Sequence, residues 1–153
     1  MNRKKRNILI ILICILLTVM WGHSMMSGAV SEAESSAVRD FLEPVLELFV
    51  GKGSVTGLLV RKLAHFTEFM LLGLLTGELL HTLGRRGFFS RIFAFLCCMA
   101  AAVIDESIQI FSDGRGAQVQ DVLLDCGGAL AGLCLIGLIH LAAKRLGRLG
   151  KKR

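Results

Sequence analysis

The apolar positions of this chain fall mainly into long runs rather than narrow stripes. A helix needs roughly 20 mostly apolar residues to cross the hydrocarbon of a bilayer, and four segments come close to that: residues 8–26, 61–83, 88–111 and 118–143. The pattern predicts an all-α, polytopic membrane protein with four transmembrane helices, and places the whole chain, 1–153, in one membrane domain. The first run follows "RKKR" and precedes "SGA", a layout that a signal peptide also shows. Its continuation through Trp21 into Met25 and Met26 favours an uncleaved anchor, with Trp21 at the outer interface.

The connection between the first two runs, residues 27–60, has a different period. Val38, Phe41, Leu42, Val45, Leu46 and Phe49 recur at i, i+3, i+4, i+7, i+8 and i+11, and Ser31 with Glu34 has capping-box spacing. This predicts an outer amphipathic helix, kinked at Pro44, that lies on the membrane surface or packs as a lid on the bundle. Gly51, Gly53 and Ser54 then form a loop before the second span.

Composition agrees with the spans: 54% of residues are hydrophobic, more than a soluble domain typically carries, and the mean hydropathy is +0.64. The net charge of +6 does not point to nucleic acid, because the basic residues sit at the ends of apolar runs with no aromatic interleaving. Thirteen of the 18 Lys and Arg residues fall on one side: Arg3, Lys4, Lys5 and Arg6; Arg85, Arg86 and Arg91; and Lys144, Arg145, Arg148, Lys151, Lys152 and Arg153. The positive-inside rule makes that side, and both termini, cytoplasmic. Of the 12 acidic residues, only Glu78 lies toward that side. Cys14, Cys97, Cys98, Cys126 and Cys134 all lie in apolar segments, without a CxxC pair or a histidine at metal-finger spacing, so they are expected to pack, and no metal is expected from them. Gly73 and Gly77, and again Gly128 and Gly132, form small-xxx-small pairs that let helices approach closely.

Ionisable residues inside the spans change the picture most. In "RKLAHFTEF", Lys62, His65 and Glu68 share a face, with His65 about 6 Å and Glu68 about 10 Å below the outer helix start. At the end of the third span Asp105, Gln109 and Ser112 share a face, with Glu106 beside Gln109, and Asp105 lies about 9 Å deep. After a tight turn through Gly114 and Arg115, the fourth span carries Gln118, Asp121, Asp125, Gly128 and Gly132 along one stripe. A central Asp or Arg costs about 2.5–3.5 kcal/mol to insert, so these groups are expected to face each other, water or a ligand. They predict an extracytoplasmic-side polar pocket of Lys62, His65, Glu68, Asp105, Glu106, Gln109, Arg115, Asp121 and Asp125. Structural pairing is the competing reading of the same residues, Arg61 and Lys62 also suit snorkelling, and Glu78 and His81 are expected at the inner interface.

These residues carry a family resemblance. "RKLAHFTEFMLLGLL" followed by "DESIQIFSDGRGAQVQDVLLDCGGALAG" resembles the VanZ-like family of small bacterial membrane proteins, over about residues 58–139. The family pattern is K-x-x-H-F opening one span, D-E-x-x-Q, a turn with G-R, and D-x-x-x-N/D-x-x-G opening the last. It selects Lys62, His65, Phe66, Glu68, Asp105, Glu106, Gln109, Gly114, Arg115, Asp121, Asp125 and Gly128. Many relatives have Pro where this chain has Asp113, and Asn where it has Asp125, which adds a carboxylate. The resemblance implies a protein of the bacterial cell envelope, and its namesake is associated with low-level resistance to the glycopeptide teicoplanin.

The leading functional expectation is a non-enzymatic protein whose pocket binds an envelope lipid headgroup, a lipid-linked cell-wall precursor or a glycopeptide-type amphiphile, in contact with membrane lipids and no nucleic acid. Mixed charges at one depth suit a zwitterionic or phosphate-bearing group. An intramembrane hydrolase or transferase acting on an outer-leaflet substrate, with a carboxylate site completed by His65 as base partner or by a divalent metal that balances the charge, is the alternative, and an ion-coupled transporter a third. No serine elbow or HExxH motif supports a particular reaction, so the sequence assigns neither a catalytic residue nor a cofactor, and it leaves the oligomeric state open.

Overall fold

The computed structural model of the chain describes residues 3–150. The side chain of Arg148, and Lys151, Lys152 and Arg153, which enter the charge argument above, lie outside that description. Five helices follow in order: α1 (Arg3–Ser24), α2 (Gly28–Val50), α3 (Gly57–Thr82), α4 (Phe88–Gln109) and α5 (Val119–Gly150). The all-α expectation holds. Three helices, α1, α4 and α5, are long and apolar enough to cross a membrane. α3, which carries Arg61, Lys62, Glu68 and Glu78, is not among them.

The first boundary differs from the sequence expectation. α1 ends at Ser24 rather than continuing into Met25 and Met26, because the chain tightens there: the Met26 N–H donates to the His23 carbonyl. α2 then begins one turn before the expected Ser31, with Ser27 as its cap and its side chain accepting from the Val30 N–H. It continues through Pro44 to Val50. Ser31 and Ser35 in its first half are half-buried, whereas Phe41, Val45, Leu48 and Phe49 in its second half are exposed.

Ion pairs and glycine contacts define the direction of each helix. Lys5 of α1 reaches Glu78 near the end of α3, while His23 at the end of α1 faces Glu68, so α1 and α3 are antiparallel. α5 runs parallel to α3, from Lys62 beside Asp121 to Glu78 beside His140. Between these ends the two backbones touch. A Cβ added at Gly73 would collide with the Ala129 backbone, one at Gly128 with the Phe66 carbonyl, and one at Gly132 with the Met70 carbonyl and the Leu74 nitrogen. Gly77 meets the side chains of Ile136 and Leu133 instead. α4 packs antiparallel to both, with Cys98 near Thr76 and Gln109 near Arg61.

The core changes character along the bundle. Its middle is apolar and small, built from Met20, Phe69, Leu72, Cys98, Ala101, Ala102 and Ala129, with Trp21 packed against it. One end is polar yet equally buried: Ser24, Asp105, Glu106, Gln109, Ser112 and Asp125. Large apolar side chains face outward, among them Ile11 and Ile15 of α1, Phe93 and Val103 of α4, and Leu123 and Leu138 of α5, as lipid-facing helices require.

α3 starts where Thr56 accepts the Leu59 N–H at 3.1 Å, satisfying one of the donors a helix start leaves unpaired. Thr56→Ala is expected to cost about 1 kcal/mol. That corresponds to a fall of about 2–4 °C in Tm for a chain of this size, measured by thermal unfolding in detergent. An unchanged melt would show that the cap contributes nothing.

Candidate functional site

The polar end of the core draws on four helices. Ser24, at the last residue of α1, donates to Asp105 Oδ1 at 2.7 Å, and Gln109 donates to Asp105 Oδ2 at 3.2 Å and to Glu106 Oε1 at 2.9 Å. His65 Nδ1 of α3 lies 3.7 Å from the same Asp105 Oδ2. His65 and Glu68, which share a face of α3, find tertiary partners on two sides: His65 faces Asp105, and Glu68 faces His23 Nδ1 at 3.7 Å. Asp125 of α5 is fully buried, and neither of its carboxylate oxygens has a hydrogen-bond partner among the described residues.

A second layer sits nearer the helix ends. Lys62 Nζ pairs with Asp121 Oδ1 at 2.7 Å, tying α3 to the first turn of α5, where a carboxylate also favours the helix dipole. Glu106 Oε2 accepts the Gln118 N–H at 2.9 Å and so caps the start of α5. Arg61 Nη2 donates to the neutral Gln109 Oε1 at 3.0 Å, and among the described residues no carboxylate lies within ion-pair distance of it.

Arg115 is used differently from a ligand-facing cation. Its guanidinium donates to the His23 carbonyl at 2.9 Å, the Met26 carbonyl at 3.5 Å and Ser31 Oγ at 3.1 Å, so it joins the α4–α5 turn to the elbow between α1 and α2. The Gly28 N–H donates to the Asp113 carbonyl at 2.8 Å in the same elbow, and Gly114 takes a φ of 71°, which favours glycine. Burial, and after it the neighbouring Arg61 charge, hold Arg115 below the ordinary arginine value.

Two cavities open among these side chains. One, of about 120 Å³, is walled by Arg61, Lys62, His65, Gln109, Arg115 and Asp121 with the loop around Gly116. The other, of about 180 Å³, lies between α2 and α3 and shares Arg61, His65 and Arg115 with the first, adding His23, Glu34 and Glu68. A wider groove of about 580 Å³ beside α2 also includes Arg61. Of the nine residues expected in the pocket, Lys62, His65, Glu106, Gln109, Arg115 and Asp121 line the first cavity and Glu68 the second, while Asp105 and Asp125 lie buried behind them. Sequence reasoning left His23 and Ser24 out and gave Arg61 to snorkelling; its spacing of i+4 to His65 and i+7 to Glu68 was the available signal.

A family model for VanZ/LLP1 matches residues 9–140. The chain belongs to the VanZ/LLP1 family. No curated protein and no solved structure matches it. The VanZ/LLP1 match takes in the polar end of the core and reaches His140 at the opposite end of the bundle; there His140 and Lys5, the latter outside the match, both hold Glu78, and the His81 ring stacks on His140 at 3.6 Å. A cavity of about 490 Å³ there is bordered by Arg85, Arg86, Arg91 and Lys144. It shares no lining residue with the polar cavities, and the apolar core lies between them.

Proposed function

We propose that this VanZ/LLP1 protein is a four-span protein of the bacterial cytoplasmic membrane, with both termini inside, whose outer polar cavity binds the phosphate-bearing headgroup of an envelope lipid or lipid-linked wall precursor. α3 serves as the fourth span: it accompanies α5 from Asp121 to His140, about 28 Å at the helical rise, close to the hydrocarbon thickness. Its ionisable residues are carried inside the bundle by partners on α1, α4 and α5. The exposed Phe41, Val45, Leu48 and Phe49 of α2 give that helix a face to rest in the outer interface.

Arg61 is the observation that carries the headgroup reading. It is a half-buried cation that borders all three outer cavities and holds a neutral amide rather than a carboxylate. Arg115, held down by burial and by that same charge, gains from an anion placed between them. At about 120 Å³ the first cavity accommodates a headgroup; drug-sized ligands occupy pockets of roughly 300–1,000 Å³, so an entire glycopeptide is excluded. Any effect on glycopeptide susceptibility then works through the occupied wall precursor or lipid rather than through enclosure of the antibiotic.

Arg61→Ala is expected to weaken retention of phosphatidylglycerol about tenfold in native mass spectrometry, since a charge-assisted hydrogen bond contributes about 1.5–3 kcal/mol and 1.4 kcal/mol is one factor of ten. Teicoplanin susceptibility of cells expressing the same variant gives a second readout. Unchanged lipid retention by a folded Arg61→Ala protein would remove the reading. An outer-leaflet hydrolase or transferase is favoured by a separate observation, the convergence of His65 with Asp105 and Asp125. Product formation from a phospholipid or precursor analogue distinguishes it from binding alone.

A further inference from the structure

We propose that His65, Asp105 and Asp125 form a binding site for one divalent transition-metal cation of the zinc class. The inference goes beyond the headgroup reading and does not depend on it. Each residue comes from a different helix, α3, α4 and α5, and each offers one ligand atom within 4.8 Å of the other two. His65 Nδ1 and Asp105 Oδ2 are 3.7 Å apart. Two ligands at the usual zinc bond lengths stand about 3.4 Å apart around a tetrahedral centre, so this pair is already near coordination distance.

Asp125 supplies the independent observation. It is 0% exposed, and both of its oxygens lack a partner among the described residues. Burying a polar group unpaired is costly, and buried charges are ordinarily paired or coordinate metals. The nearby cations are engaged elsewhere, Lys62 with Asp121, Arg61 with Gln109 and Arg115 with backbone carbonyls. A divalent cation between Asp105 and Asp125 satisfies the orphaned oxygens and neutralises both charges at once.

The surroundings have the form of an outer coordination layer. Ser24 and Gln109 donate to the two oxygens of Asp105 and hold its orientation, as partners behind metal ligands do. A mixed set of one imidazole and two carboxylates suits zinc and its neighbours rather than calcium or magnesium, which favour oxygen alone. Three protein ligands leave a fourth position for water or a ligand oxygen. His65 borders both small polar cavities, which gives that position a route of access.

A second cluster, Glu78, His81 and His140, also brings three donors together. Its groups are already satisfied: Glu78 holds Lys5 and His140, and the two imidazoles are stacked with an interplanar angle of 7°. It therefore serves as a control. Full-length protein in mild detergent is stripped with a chelator and titrated with zinc, with metal content measured by mass spectrometry and Tm followed in parallel.

The expected result is about one zinc per chain and a raised Tm, both retained in His140→Gln. Asp125→Asn, which keeps the side chain's shape, and His65→Gln are each expected to lower zinc affinity at least tenfold. Absence of zinc uptake at micromolar concentration by the folded wild-type protein overturns the proposal. Uptake that survives in both Asp125→Asn and His65→Gln, or is lost only in His140→Gln, overturns it as well. So does an Asp125→Asn protein that binds zinc as the wild type does and melts, free of metal, at the wild-type temperature, since a protonated or water-bound Asp125 then accounts for the burial. Phosphatidylglycerol retention, measured on the same samples, reports separately on the Arg61 reading.

Discussion

Gly132→Ile is expected to abolish assembly of the bundle. The first atom of the new side chain would overlap the Met70 carbonyl oxygen and the Leu74 nitrogen, and backbone atoms of a neighbouring helix cannot rotate away. Overpacking a core usually costs about 1–3 kcal/mol. Here the only relief is separation of α3 from α5, which also opens the contacts of Gly128 with Phe66 and of Gly73 with Ala129. The expected loss therefore exceeds about 3 kcal/mol, a large share of the roughly 5–15 kcal/mol that holds a folded domain. Gly137→Ala on the same helix is the control, because open space surrounds Gly137 and alanine is the better helix former. Size-exclusion profiles and thermal melts of the two variants make the comparison. If Gly132→Ile melts within a few degrees of Gly137→Ala, the close approach of α3 and α5 is not what holds the bundle.

Arg115→Ala is expected to release the elbow between α1 and α2. The change removes three hydrogen bonds from one charged fork and leaves the His23 and Met26 carbonyls without that donor. Hydrogen bonds to charged groups contribute about 1.5–3 kcal/mol each but do not add fully, so a net loss of about 2–4 kcal/mol is expected. Lysine does not replace the fork geometry, and Arg115→Lys should recover little. Hydrogen exchange over the first turns of α2 reads the effect directly. Faster exchange there without any added ligand identifies Arg115 as a tether; unchanged exchange in Arg115→Ala would leave it as a ligand contact alone.

The two replacements mark what the sequence does and does not express. Gly73, Gly128 and Gly132 are visible as spaced small residues because close helix packing leaves a local pattern, and the polar stripe from Gln118 to Asp125 is visible for the same reason. Arg115 is visible as a charge in a turn, but its partners are two carbonyls and a hydroxyl 84 to 92 residues away, and no local pattern encodes them. Helical spacing likewise identifies the face that His65 and Glu68 share. It does not say which neighbour occupies that face, and α4 and α1 each take one of the two. Ser24 and His23 lie at the end of an apolar run with no periodic polar partner, so only the packed bundle reveals that α1 completes the polar end. The break at Met25 was equally hidden, because hydrophobicity continues past the residue at which hydrogen bonding turns the chain.

The parallel pairing of α3 with α5 has a consequence for biosynthesis. Neighbouring helices in a chain can associate as soon as both have emerged, but α3 and α5 are separated by α4 and meet only after the last apolar segment has entered the membrane. Until then Lys62 has no Asp121, Glu78 has no His140, and the glycine faces have no backbone to receive. A chain halted after α4 would leave Lys62 without its carboxylate and Glu78 with Lys5 alone, while the pairs of His65 with Asp105 and of His23 with Glu68 would already have both members. Docking of α5 along α3 is then the step that supplies charge partners toward both ends of α3 and a backbone surface for the glycines between them.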